Sequence, residues 1–133
     1  MSGPLIESFD VATTLLAQRI VSGVTGTGGA CQYPTTNTAL YLGVTVDTVI
    51  DTNGAIPVQL NGKAWVFFND TVAAGELVGS DTSGRGVPFT LGQTSTSISS
   101  PASYLGILVG PSVAVTGTVA QVLINPGFDR NAR

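Results

Sequence analysis

The chain has 133 residues, only 10% of them charged, with five Lys and Arg against eight Asp and Glu, a net charge of −3 and no His. The five cations (Arg19, Lys63, Arg85, Arg130, Arg133) are scattered and form no patch able to neutralise several phosphates, which argues against a nucleic acid partner. The lack of His removes the commonest general base, the commonest metal ligand and any Ser-His or Cys-His nucleophile pair. The single Cys31 can neither close an intrachain disulfide nor hold a structural zinc.

A chain of this length is expected to be one domain with a sizeable core. Mean hydropathy is +0.37, and charge is far below the roughly 25% of ordinary soluble domains. Two readings follow: a β-rich domain with an ordinary surface, or one whose surface is largely buried in an assembly. No run approaches the ~18 apolar residues of a membrane-spanning helix, so no membrane partner is expected. The first residues show neither a basic segment nor an apolar one that would mark export. Synthesis in a cytoplasm is therefore expected, and the sequon Asn69-Asp70-Thr71 carries no weight.

Residues 1–10 read as an extended N-terminal arm. Pro4 disfavours helix before it, and Leu5, Ile6 and Phe9 are large apolar groups suited to docking on a partner. Residues 11–127 form the β domain and 128–133 a tail. Asp10 is placed to cap a short helical turn over 11–17, with a strand from Arg19. Gly23, Gly26, Gly28 and Gly29 make a glycine-rich turn. It is not a phosphate loop, because no Lys-Ser or Lys-Thr and no helix pattern follow. Cys31 reads as a buried small apolar residue.

Residues 44–68 carry three β-type runs separated by Asp51-Thr52-Asn53-Gly54 and Asn61-Gly62. Asn-Gly suits a type I′ turn, which needs positive φ at both central positions, so a three-strand meander is expected. In the last run Trp65 and Phe67 share one face, and Val66 and Phe68 the other. Both faces are apolar. One enters the core, and the other needs cover from a second layer or a neighbouring subunit. Trp65 is expected inside.

Further strands are expected at 76–78, 86–89, 104–109 and 118–124. A tight turn is expected at 81–85, a long Ser/Thr-rich loop at 91–103, and a stop at Asn125-Pro126-Gly127. An internal similarity runs through the chain. Tyr41-Leu42-Gly43-Val44 resembles Tyr104-Leu105-Gly106-Ile107, 63 residues later. Ala17-Gln18-Arg19-Ile20-Val21-Ser22 resembles Ala74-Gly75-Glu76-Leu77-Val78-Gly79, and Gly54-Ala55-Ile56 resembles Gly117-Thr118-Val119. Either two related halves are present, or glycine-rich β sequences align by accident. The fold expected is all-β: a small β-barrel or β-sandwich of about eight to ten short strands.

No chemistry-bearing cluster emerges. Asp47 and Asp51 flank a hairpin arm, and Asp70 and Asp81 lie in turns, where Asp bonds its own backbone. No catalytic residue, metal site or cofactor is expected, and the chain does not read as an enzyme.

The order of features resembles the small β-barrel capsid decoration (cement) proteins of tailed bacteriophages. It rests on Arg19-Ile20-Val21, Leu42-Gly43-Val44, residues 58–66, Val72-Ala73-Ala74-Gly75-Glu76-Leu77-Val78, residues 81–85, Leu105-Gly106-Ile107 and residues 119–123. The likeness covers residues 17–125 and lies in the order of generic motifs. Trp65, Phe67, Phe68 and the 91–103 loop fall outside it. It implies a virion structural protein on the capsid exterior, a homo-oligomer with a trimer favoured. The major capsid protein would be its partner, and bridging of capsid subunits its role. Pro4, Leu5, Ile6, Phe9, Trp65, Phe67 and Phe68 are the candidate capsid or subunit interface. The alternative is a receptor- or glycan-binding head-fibre or tail-tip module, for which Trp65 with Asn69 and Asp70 would be the site.

Overall fold

The structure, a computed structural model, describes residues 5–11, 14–24, 26–35, 40–46, 54–89, 103–110, 113–114 and 116–128. Among these the chain is all-β: β1 (Ile6–Val11), β2 (Ile20–Val24), β3 (Thr27–Gln32), β4 (Tyr41–Thr45), β5 (Ala55–Gln59), β6 (Gly62–Phe67), β7 (Val72–Ala73), β8 (Leu77–Ser80), β9 (Gly86–Pro88), β10 (Ser103–Gly110), β11 (Val113–Ala114) and β12 (Val119–Phe128). Strands β1-β3-β2-β4-β5 close a barrel, and β6-β12-β10-β8-β9 form a second sheet. β7 and β11 pair separately.

The first barrel is filled by Val11, Leu15, Val21, Cys31, Ile56 and Val58, with Phe9, Tyr33, Leu42 and Leu60 packed around them. The period of two supplies these from alternate positions. A bulge adjusts it at Leu42: Val21 lies opposite Gly43, but Ser22 lies opposite Tyr41. Leu42 is the extra residue and turns inward, which leaves Tyr41 and Val44 on the outer face.

Several expectations are corrected. Among the described residues of 11–17 there is no helical turn: Val11 ends β1, Leu15 makes an isolated bridge, and a turn follows at Ala17 and Gln18. Burial of Val11 and Leu15 in the barrel outweighs weak helix propensity. The arm is extended but not free, because residues 6–10 pair antiparallel with β5 and Asp10 and Val11 pair parallel with β3. The meander holds only in its first half. β4 and β5 are neighbours, whereas β6 pairs with β12 of the second sheet. Gly62 has positive φ, 77°, but Asn61 does not, so the turn is not the type I′ expected, and it passes the chain from one sheet to the other. β12 continues through Pro126 to Phe128. Its pairing with β6 ends at Ile124, and beyond it only β10 lies alongside, so a residue without N–H is tolerated on the open side. Most of the 91–103 loop lies outside the described residues.

The two halves are related strand by strand. Ile20 and Val21 oppose Val44 and Gly43 as Leu77 and Val78 oppose Ile107 and Gly106. Val44 and Thr45 meet Gln59 and Val58 as Ile107 and Leu108 meet Leu123 and Val122. The ladder from Ile6–Gln59 to Asp10–Ala55 recurs from Lys63–Leu123 to Phe67–Val119. Even the parallel closure Val11–Cys31 has its counterpart in the bridge Phe68–Gly86, which rolls the second sheet into a barrel joined at one point. Gly43 and Gly106 are required for the same reason. A Cβ on either would overlap the carbonyl oxygen of the partner residue, Gln59 or Leu123. The sequence similarity at 63-residue spacing is thus a structural duplication.

Candidate interaction surfaces

The two barrels are joined by a shared core. Ile20, Tyr41 and Val44, on the outer face of the first barrel, share one apolar cluster with Ala64, Val66, Phe68, Val72, Val78, Leu105, Leu108, Ala120, Val122 and Ile124 of the second. Polar contacts fix the junction. Ser80 N donates to the Tyr41 hydroxyl at 3.0 Å. Phe67 N donates to Gln18 O, and Ile20 N to Gly84 O. Gln59 Nε2 donates to the carbonyls of Asn61 and Lys63. The Arg19 guanidinium lies 4.9 Å above the Phe67 ring and donates to Ser83 O.

The face shared by Trp65 and Phe67 therefore divides. Phe67 takes its cover from Arg19 of the first barrel. Trp65 is 53% exposed, contrary to expectation. Ala64, Val66 and Phe68 already occupy the interior of β6 and its extension, so alternation sends Trp65 outward. It is not isolated. Lys63 opposes Leu123 and Trp65 opposes Gln121, while Ile107 opposes both Leu123 and Leu77. Trp65, Leu123, Ile107 and half-buried Leu77 accordingly line one outer sheet face. Scattered exposed apolar residues are ordinary, whereas a contiguous set points to a contact surface.

The remaining candidates separate. Leu5 and Ile6 are exposed at the start of β1. Leu5 is held by its N–H to Asn61 Oδ1 at 2.7 Å and by its carbonyl, which accepts from Leu60 N. Phe68 is fully buried and so is not presented to a partner, whereas Phe9 is half-buried, with part of its ring packed against the first barrel's interior. Pro4 lies outside the described residues. Ile107 and Leu123 were missed by sequence reading, because alternation in a β-barrel does not say which face is inside.

The polar residues serve the fold. Asp81 accepts from Ser83 N, Arg85 N, Arg85 Nε and Asn69 Nδ2, which builds the 81–85 turn. Asn69 Nδ2 is thereby engaged, and Asp70, which is exposed, accepts from Thr71 N with one carboxylate oxygen. Cys31 is buried, as expected. Burial, with the Asp10 charge second, pushes its thiol up to about 11, the opposite of an activated nucleophile. Among the described residues no three His, Cys, Asp or Glu side chains converge on a metal position.

No protein-family model matches the chain, and no curated protein matches it. A solved structure does share its fold: the N base of head fiber gp8.5 of bacteriophage phi29. The TM-score is 0.67 over 92% of this chain and 95% of that one, at 15% sequence identity.

Proposed function

We propose that the chain is a structural protein of a phage head. It binds the outer surface of the capsid and stabilises the expanded shell by bridging major capsid subunits. The observation that carries this reading is the contiguous apolar face of Trp65, Ile107 and Leu123 on a low-charge molecule, in a fold shared with a head-fibre base. Contacts that are individually weak suffice on a shell, because many copies attach together.

The test is to add purified protein to shells lacking it and to measure both binding and resistance of the shell to heat. Saturable binding with a raised disruption temperature is expected. Shells that neither bind the chain nor gain stability would sink the proposal. The likeness to a head-fibre base specifically favours a second reading, in which the chain seats a receptor-binding fibre on the head. Copy number by quantitative mass spectrometry of virions separates the two: hundreds for a shell brace, tens for a fibre base.

A further inference from the structure

The duplication identifies what should cover the open face. Positions on the outer face of the first barrel have counterparts on the second: Ile20 matches Leu77, Val44 matches Ile107 and Gln59 matches Leu123. In the first barrel these positions are sealed against the second, with Val44 1% and Gln59 6% exposed. In the second barrel nothing among the described residues seals them, and Ile107 and Leu123 stand 38% and 41% exposed.

The sealing surface has its own counterpart. Gln59 bonds the backbone of Lys63, and the residue equivalent to Lys63 is Ile6. Ile6 is 48% exposed, with exposed Leu5 beside it. A molecule built this way carries a second copy of each half of its own internal junction: the receiving half presents apolar Ile107 and Leu123 beside Lys63, and the β1 half presents apolar Leu5 and Ile6 followed by exposed Glu7, Ser8 and Asp10.

We propose that the outer face of the second barrel receives the β1 end of the first barrel of a second copy of this chain. The contact is head-to-tail, repeats the internal junction, and sets Leu123 and Ile107 against Ile6 and Leu5 of the next copy. Such a heterologous contact uses two different patches per chain and propagates from copy to copy. One substitution marks its rim. Glu76 stands where Arg19 stands in the first barrel, and Asp10 where Phe67 stands in the second, so the repeated geometry brings two carboxylates together. The contact is thereby weakened in the free chain and favoured where copies are held side by side. The inference deepens the shell-bound reading only in saying where the contact forms, and its test is made on the soluble protein, independent of shell binding.

Leu123→Cys and Ile6→Cys are made in separate full-length chains, both at exposed positions, with folding checked by circular dichroism. They are oxidised alone and mixed, at about 1 mM, the effective concentration of tethered neighbours. A cross-linked dimer from the mixture, with none from either chain alone, is the expected result. Self-cross-linking of Leu123→Cys would mean a face-to-face dimer and overturn the proposal, as would the absence of any cross-link in the mixture. Sedimentation of otherwise unmodified chains gives a second measure. Glu76→Arg should tighten association several-fold and Leu123→Asp should weaken it at least tenfold, whereas no response to either charge would also overturn it.

Discussion

Gln18 has φ of 63° and is the one non-glycine residue among those described with a left-handed backbone. Its counterpart is Gly75, at φ 87°, and both N–H groups make the same bond, to Thr45 O and Leu108 O respectively. The left-handed conformation costs an ordinary residue ~1–2 kcal/mol, part of which glycine's greater unfolded-state entropy offsets. Gln18→Gly is therefore expected to stabilise the fold by about 0.5–1 kcal/mol, measured by urea denaturation. Three residues apart on β6 and its extension, two aromatics should behave oppositely. Trp65→Ala, at an exposed position, should change stability by no more than about 0.5 kcal/mol, whereas Phe68→Ala should cost ~3–5 kcal/mol through the cavity it leaves. The pairing of Trp65 with Phe67, and of Val66 with Phe68, was legible from alternation. Which pair enters the barrel was not, because the answer depends on where Ala64, Val66 and Phe68 meet Val122 and Ile20, far away in sequence.

At the scale of elements, β1 shows most clearly what local reading misses. The extended segment expected there is extended in its described part, residues 6–10. Its partners are β5 and β3, and nothing in residues 1–10 points to either. Removing residues 2–9 should therefore open the first barrel, not merely detach an appendage. Circular dichroism is expected to show loss of β signal and a melting temperature lowered by well over ten degrees, and an unchanged melt would refute the assignment of β1 to the barrel. The Asn-Gly turns teach a related lesson. Asn61-Gly62 does supply positive φ at Gly62, but turn chemistry fixes a local reversal without fixing which strand lies alongside afterwards. Strand β3, in a glycine-rich stretch, and the paired strands β7 and β11, between the expected strands, were missed, because pairing with distant partners overrides weak propensity.

At the scale of the whole molecule, the similarity between Tyr41-Leu42-Gly43-Val44 and Tyr104-Leu105-Gly106-Ile107 was the most informative signal in the sequence, because both Gly residues answer to the same close backbone approach. Burial also sets the response to alkali. Tyr41 is raised above the ordinary phenol range, chiefly by burial, and Cys31 is raised from 9.0 to about 11. Both groups are neutral in the folded chain and ionise more readily when it unfolds. Their stabilising contribution is complete below their unfolded values and is lost as pH rises through the folded ones. Stability should stay level from pH 7 to about 8.5 and decline above about 9, as urea midpoints at each pH would record.

Only Leu60 and Asn61 run between β5 and β6, and Ile20, Tyr41 and Val44 sit in the same cluster as the second barrel's interior. Cutting the chain at Asn61 would strip one fragment of part of its filling and leave the other with a bare greasy flank. Neither unit can loosen without disturbing its twin, so a calorimeter should register a single heat-absorption peak from a body assembled by doubling.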